Sequence, residues 1–148
     1  MAPHIRKGVA ADAFDAISVL CTSISKLCLS DHLNDEQELS AWLQNKNEAS
    51  WLLWISNKNA TVLVAEMMSE VVGVGMVNAD GEVLLNYVSP NMRFQGISKA
   101  LLGNLEKEAS GFGAAFCFLE STKTAHQFYE RSGYKSINSN GLNMQKYL

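Results

Sequence analysis

The sequence predicts one α/β domain, in which helices cover the faces of a mixed sheet. Three observations support this fold class. The chain has 148 residues, about the length of one domain, and shows no linker and no internal repeat. Residues 61–88 are rich in β-branched side chains interrupted by turn-forming residues, and apolar residues recur at helical spacing on both sides of this stretch. We therefore expect a single domain over residues 1–148.

Residues 4–9 are predicted to form the first strand, followed by a helix that ends near Cys28. Asp12 is the expected N-cap, because a carboxylate there can accept hydrogen bonds from the free amides of the first turn. The apolar residues of this helix recur at helical spacing. They are Phe14, Ile17, Leu20, Cys21 and Ile24.

A second helix is predicted over residues 35–45, where Asn34 and Gln37 resemble a capping box. Its apolar stripe consists of Leu39, Trp42 and Leu43. The next apolar run, residues 51–55, is too short for its periodicity to identify the element. Its aromatic content favours a strand or a buried lid over a pocket.

Three consecutive strands are predicted over residues 61–66, 71–77 and 83–88. Asp80-Gly81 separates the last two, and because glycine tolerates the positive φ of a primed turn, these strands should pair as an antiparallel hairpin. The segment Gly73-Val74-Gly75 begins like a dinucleotide-binding fingerprint. It lies inside a strand and no helix follows it, so we interpret its glycines as permitting a bulge or the close approach of another segment.

The remaining residues are predicted to alternate between helix and strand. The expected elements are a helix over 99–109, a strand over 114–119, a helix over 122–131 and a strand over 142–147. The strand, helix and strand from residue 83 to residue 119 imply a crossover connection.

Composition and charge exclude several classes of function. With 12 Lys and Arg against 15 Asp and Glu, the net charge is −3, so we expect no nucleic acid partner and a mild preference for a cationic small one. No apolar stretch is long enough for a membrane span and residues 1–10 lack an apolar signal core, so we expect a cytoplasmic protein with no membrane partner. Cys21, Cys28 and Cys117 match neither a disulfide framework nor a zinc spacing, which predicts free core thiols.

The segment from Arg93 to Lys99 follows a predicted strand and opens a predicted helix. Consecutive backbone amides and the positive end of the helix dipole should then point at one spot. Gly96 would let a ligand approach the backbone closely, while Arg93 and Lys99 add positive charge on either side. This arrangement favours an anion such as a pyrophosphate.

Two motifs resemble those of the GNAT N-acetyltransferase superfamily. Residues 88–102, with Arg93-Phe94-Gln95-Gly96-Ile97-Ser98 at their centre, resemble its acetyl-CoA motif, Q/R-x-x-G-x-G/A. Downstream, Leu119-Glu120-Ser121 and residues 125–134, with the sequence AHQFYERSGY, resemble its closing strand and the helix A-x-x-F-Y-E-x-x-G-F/Y. Together with the amino-terminal strand, the resemblance covers nearly the whole chain.

The resemblance implies a mixed, mostly antiparallel sheet of six to seven strands, flanked by about four helices and splayed between strands four and five. It also implies transfer of the acetyl group of acetyl-CoA to a primary amine, by direct attack in a ternary complex and without a metal. The residues that would bind the coenzyme are Asn86, Tyr87, Val88, Arg93, Phe94, Gln95, Gly96, Ile97, Ser98, Lys99, Thr122 and Phe128.

The resemblance assigns Tyr129 as the acid that protonates the departing thiolate, although an aromatic residue there could also simply pack on the sheet. The base is less well defined. Glu82 matches a base position of histone-modifying members but could be a solvated turn residue, and Glu120 ends the fifth strand. His126 and a chain of waters are further candidates. We favour a water-assisted route to which Glu82 or Glu120 contributes.

Two residues depart from the family pattern. Ser98 replaces a Gly or Ala in the turn, and Thr122 replaces an Asn beside the pantetheine arm. These changes leave a non-catalytic acyl-CoA-binding or regulatory module as the alternative function. The sequence does not identify the acceptor, which could be a small amine, a polyamine, an amino acid, an aminoglycoside, or a protein or peptide amine. It also leaves open whether the protein forms a homodimer. The three tryptophans, Trp42, Trp51 and Trp54, could line an acceptor pocket, but core packing is the favoured interpretation.

Overall fold

A computed structural model describes residues 2–27, 33, 35–137 and 141–148. Its strands are β1 (His4–Lys7), β2 (Ala60–Met67), β3 (Glu70–Asn78), β4 (Val83–Val88), β5 (Phe116–Glu120), β6 (Lys135–Ser136) and β7 (Asn143–Tyr147). The first four pair in sequence order as one antiparallel sheet, and the last three form a second antiparallel sheet in the order β5-β7-β6. The predicted hairpin at Asp80-Gly81 therefore joins two antiparallel neighbours, β3 and β4.

Five α-helices are present in the described residues. They are α1 (Ala13–Leu27), α2 (Glu36–Leu43), α3 (Glu48–Ser56), α4 (Ile97–Gly111) and α5 (His126–Arg131). Short 3₁₀ segments occupy Ala10–Asp12 and Pro90–Met92. The predicted mixed α/β fold with a mostly antiparallel sheet is confirmed. The seven strands of the described residues lie within the expected number, and the five helices are one more than expected. None of the helices in the described ranges has the length and apolar character needed to cross a membrane.

The two sheets meet at a single parallel bridge in the described residues, where Glu82 lies opposite Phe118. There the Phe118 amide donates to the Gly81 carbonyl oxygen at 3.0 Å. The described ladders contain no further pairing between β4 and β5, so the two strands diverge towards their carboxyl ends. This is the predicted splay between strands four and five, and it leaves a gap in which a ligand can lie.

Helices pack on both faces of the first sheet because side chains of its strands alternate between two buried clusters. Leu63 and Ala65 of β2 belong to the cluster that contains α4 residues. Val62 and Val64 belong to the cluster that contains residues of α1 and the buried Trp51 of α3. The core thus consists of two apolar layers, one on each side of the sheet.

The two glycines of β3 lie directly beneath α4. A Cβ atom on Gly73 would come within 2.9 Å of Leu101 Cδ1, and one on Gly75 would come within 2.9 Å of Leu105 Cδ1. Real Cβ atoms do not approach other atoms so closely, so a side chain at either position would displace the leucine methyl groups of α4 that pack on these glycines. The predicted close approach of another segment is confirmed.

Asp12 is not the N-cap of α1, and this prediction was wrong. The Asp12 carboxylate accepts hydrogen bonds of 2.8 Å from the Val9 amide and from both terminal nitrogens of Arg6. The arginine lies on β1, so a tertiary ion pair holds the carboxylate that would otherwise cap the helix. Phe14, predicted on the buried face, is 72% exposed.

Residues 51–55 are helical, which corrects the predicted strand or lid. Asn47 caps α3 by accepting a hydrogen bond of 2.9 Å from the Ser50 amide. Trp51 is fully buried and its indole nitrogen donates to the Val9 carbonyl oxygen at 2.9 Å. Trp51 therefore packs in the core, as predicted from the sequence.

Three further predictions differ from the structure in detail or cannot be compared with it. α2 is capped by Asp35, which accepts from the Glu38 amide at 3.0 Å, while the predicted cap Asn34 lies outside the described residues. The last helix begins at His126, because Thr122 instead closes a turn through its hydroxyl. Cys117 is buried and Cys21 partly buried, both as free thiols, and Cys28 lies outside the described residues.

Candidate active site

A cleft of about 510 Å³ opens in the gap between β4 and β5. It is bounded by β4, the turn before α4, the end of β5 and the start of α5. Most residues predicted for coenzyme binding or catalysis line it. They are Asn86, Tyr87, Val88, Arg93, Phe94, Gly96, Ile97, Ser98, Lys99, Glu120, Thr122, Phe128 and Tyr129. Of the other two predicted residues, Gln95 is exposed on the turn and is not among the residues that line the cleft, and Glu82 lines a different cavity.

The turn before α4 is built to receive a ligand against its backbone. Gly96 has a φ of 77°, in the left-handed region that favours glycine, and a Cβ atom there would meet no protein atom within 4 Å. The amides that follow open α4, where the first turn of any helix has no internal acceptors. Arg93 and Lys99 flank the turn and are exposed. The geometry therefore suits an anion, as the sequence predicts.

Tyr129 lies at the floor of the cleft and is 7% exposed. Its ring packs edge-on against Phe128 and Tyr134, with centroids 5.1 and 5.6 Å away. Burial raises the pKa of the phenol to about 12, and the nearby Asn86 side chain offsets part of the rise. The hydroxyl therefore keeps its proton at neutral pH, which suits a proton donor.

Asn86 contributes a feature that sequence reasoning missed. Both polar atoms of its side chain are buried and have no hydrogen bond partner among the described residues. Buried amides are almost always paired, so an unpaired one in a cleft indicates a place where a ligand group is expected. The resemblance implied a role for the backbone of this strand only. The signal for a role of the side chain was a polar residue between the apolar or aromatic residues Leu85, Tyr87 and Val88.

Only one of the two candidate carboxylates lines the cleft. Glu120 is exposed and lines the cleft. Glu82 instead lines a smaller cavity of about 250 Å³ and accepts a hydrogen bond of 3.3 Å from the Asn78 side chain. Leu119 and Glu120 line both cavities. The two cavities therefore adjoin each other at Leu119 and Glu120.

Two other predicted polar residues have their own partners. The Thr122 hydroxyl accepts from the Ala125 amide at 3.1 Å, and so it fixes the turn that leads into α5. His126 Nδ1 lies 3.2 Å from a carboxylate oxygen of Glu130, and His126 does not line the cleft. Ser23 of α1, which was not predicted, is buried and also lines the cleft. Its small side chain in an apolar helix gave no signal of this position.

Residues 30–145 match the family model described as an acetyltransferase (GNAT) domain. This match covers most of the chain. The chain belongs to the GNAT acetyltransferase family. The fold and cleft described above are thus those of a GNAT domain, and the expected family is confirmed.

Solved structures with the same fold span this GNAT domain from end to end. A GCN5-related N-acetyltransferase from Rhodopseudomonas palustris superposes with a TM-score of 0.89 at 23% identity, covering 100% of this chain and 97% of that one. The PaiA N-acetyltransferase from Thermoplasma acidophilum, solved in complex with coenzyme A, gives 0.86 at 23% identity and covers 100% of both chains. A ribosomal-protein-alanine N-acetyltransferase from Brucella melitensis gives 0.69 at 23% identity, covering 98% of this chain and 99% of that one. The sequence has no significant match among curated proteins.

Proposed function

We propose that this GNAT domain transfers the acetyl group of acetyl-CoA to a primary amine by direct attack in a ternary complex. The observation that carries the proposal is that one cleft holds both an anion-binding turn at Gly96 and a protonated, buried phenol at Tyr129. The first suits the pyrophosphate of the coenzyme and the second suits its leaving sulfur. The complex of the Thermoplasma relative with coenzyme A supports the same co-substrate here.

The coenzyme would lie along the gap between β4 and β5. Its pyrophosphate would accept hydrogen bonds from the amides after Gly96, including those of Ser98 and Lys99, while Arg93 supplies positive charge. The pantetheine arm would then run between the strand 86–88 on one side and Thr122 and Phe128 on the other. Both walls belong to the cleft.

In the chemical step, the neutral amine attacks the carbonyl carbon of the thioester and a tetrahedral oxyanion forms. The C–S bond then breaks, the acetyl group stays on nitrogen, and the coenzyme leaves as a thiolate that takes the Tyr129 proton. Backbone amides of the strand 86–88 would stabilise the oxyanion. The Asn86 carboxamide, with a free donor and a free acceptor, can add a hydrogen bond at the same place.

The amine must lose a proton before or during attack, because an alkylamine with a pKa of about 10 is mostly protonated at neutral pH. We assign this role to a water relay that starts at Glu120 in the cleft and continues to Glu82 in the adjoining cavity. The same two carboxylates would attract a cationic acceptor. Acceptors of this kind include small amines, polyamines and the amines of proteins.

The test is a panel assay with purified protein and acetyl-CoA, in which thiol release is followed for amines of each acceptor class. We expect release that depends on one class and an acceptor that gains an acetyl group by mass spectrometry. Coenzyme binding without turnover on any acceptor would contradict catalysis and would instead indicate the non-catalytic module. Absence of coenzyme binding would contradict both functions.

A further inference from the structure

Phe94 is unusual for a phenylalanine in both its exposure and its backbone conformation. Its side chain is 94% exposed, and its backbone has a φ of 63° in the left-handed region, which bulky side chains rarely adopt. The turn would be more easily formed with glycine at this position, and a polar side chain would be better solvated. Both features indicate that the ring itself is needed at this place.

Arg93 lies against this ring. The central carbon of its guanidinium is 4.7 Å from the centroid of the Phe94 ring, in a cation–π contact. Because the ring is almost entirely exposed, its opposite face is open to solvent. The two side chains therefore present a flat aromatic surface with a positive charge beside it, a combination that suits a planar, phosphorylated base.

The position of Phe94 within the cleft indicates which part of a ligand it would meet. Phe94 and Tyr129 line the same cleft, and at 94% and 7% exposure they mark its mouth and its floor. Coenzyme A has a fixed chemical order, in which the pyrophosphate separates the thiol-bearing arm from adenosine 3′-phosphate. With the thioester at the floor and the pyrophosphate at the Gly96 turn, the adenosine must emerge at the mouth.

We propose that Phe94 and Arg93 form a subsite for the adenosine 3′-phosphate of the coenzyme, with the adenine stacked on the Phe94 ring. This inference rests on the proposed function and adds to it a preference for one kind of acyl donor. A donor whose phosphopantetheine is attached to a carrier protein has no adenine to stack. The protein therefore selects acyl groups carried by free coenzyme A over those carried on a protein-bound arm.

The experiment compares coenzyme A with 4′-phosphopantetheine, which lacks the adenosine, by NMR titrations that reach millimolar dissociation constants. Phe94→Gly should weaken coenzyme A binding at least about fivefold, the lower end of what one stacked base contributes. Binding of 4′-phosphopantetheine should change less than about twofold. The melting temperature of Phe94→Gly should not fall, because glycine accepts the left-handed conformation. Phe94→Tyr keeps the ring and should keep the affinity.

Phe14→Ala is the matched control, since Phe14 is also highly exposed but lies on α1 outside the cleft lining. It should leave both affinities unchanged. The adenosine subsite would be overturned if Phe94→Gly lost affinity for both ligands equally, or lost no affinity for coenzyme A. Wild-type protein that binds 4′-phosphopantetheine as tightly as coenzyme A would overturn it too. Wild-type protein that binds no coenzyme A would instead overturn the proposed function.

Discussion

The Asn86 carboxamide and the Tyr129 hydroxyl lie near one another at the floor of the cleft but are not in hydrogen-bond geometry. Two buried polar groups that could satisfy each other are thus both available to a third group. In the proposed reaction that group is the thioester, whose oxygen and sulfur need hydrogen-bond donors at different moments. The pair is therefore the best place to test the chemistry by substitution.

Tyr129→Phe removes the hydroxyl and keeps the ring that packs between Phe128 and Tyr134. Without the proton donor, we expect turnover to fall on the order of 10²-fold while coenzyme affinity changes little. Steady-state kinetics and calorimetry on the same preparation check the two effects. If chemistry is rate-limiting and the variant keeps full turnover, water or another group is the acid.

The raised pKa of Tyr129 also predicts how stability depends on pH. In the unfolded chain the phenol ionises near 10.0, whereas in the folded protein it keeps its proton up to about 12. The stability is therefore fully present below pH 10 and is lost as the pH rises from 10 to 12, since only the unfolded state releases the proton. Urea denaturation across this range should show a smaller loss for Tyr129→Phe than for wild type. Equal slopes would mean that the phenol ionises normally in the folded protein.

Asn86→Leu replaces an unpaired buried amide by an apolar side chain of similar size. Because the cost of the unpaired polar atoms disappears, we expect the free energy of unfolding to rise by about 1 kcal/mol. We expect turnover to fall at least about tenfold, as the donor facing the reacting group is lost. Thermal denaturation and kinetics measure the two. A variant that loses both stability and activity would show that Asn86 is a structural residue.

Gly96→Val should abolish coenzyme binding and leave the far-ultraviolet circular dichroism native. A side chain at this position projects into the open space before α4, and a β-branched residue disfavours a φ of 77°. Gly103→Ala is the control, because it lies inside α4 with no atom near its Cβ. It should keep binding and raise stability by up to about 1 kcal/mol. Undiminished affinity in Gly96→Val would show that the pyrophosphate binds elsewhere.

Glu82→Gln and Glu120→Gln test the proton relay. If both carboxylates contribute to the relay, each substitution should reduce the rate by about tenfold, since water can still carry the proton past the missing carboxylate. Raising the pH should restore the rate of both variants, because the acceptor amine then loses its proton without help. A single dedicated base predicts one large loss and one near-normal rate. Unchanged pH profiles in both would make the two carboxylates bystanders.

The sequence predicts the strands and the turn well because their signals are local. β-branched runs, Asp80-Gly81 and Gly96 in the turn before α4 each determine backbone conformation within a few residues. The helix α3 was not predicted, because its apolar residues carry no local pattern of this kind. Its apolar residues surround the axis, with Trp51 buried and Leu53 exposed, so no periodicity identifies it. The cap at Asn47 was the signal that could have identified it.

Other features depend on contacts that no local pattern contains. Asp12 has the residue type of a cap, but Arg6 on the neighbouring strand holds its carboxylate. Glu82 and Glu120 both adjoin the gap in the sequence-based topology, yet only Glu120 lines the cleft, because Glu82 lies at the bridge where the sheets still meet. The order of elements predicts which residues approach the site. It does not predict which way their side chains point.

The glycines of β3 make the cleft sensitive to residues that no ligand touches. A methyl group on Gly73 would press on both Leu101 and Ile97, the residue that directly follows Gly96. Because glycine contributes no side chain to this contact, the α4 side chains would have to shift, and Ile97 among them lines the cleft. Selection for activity alone should therefore preserve Gly73 and Gly75 in a library of random variants. An evolving acetyltransferase could change its acceptor side freely while these two positions stayed fixed.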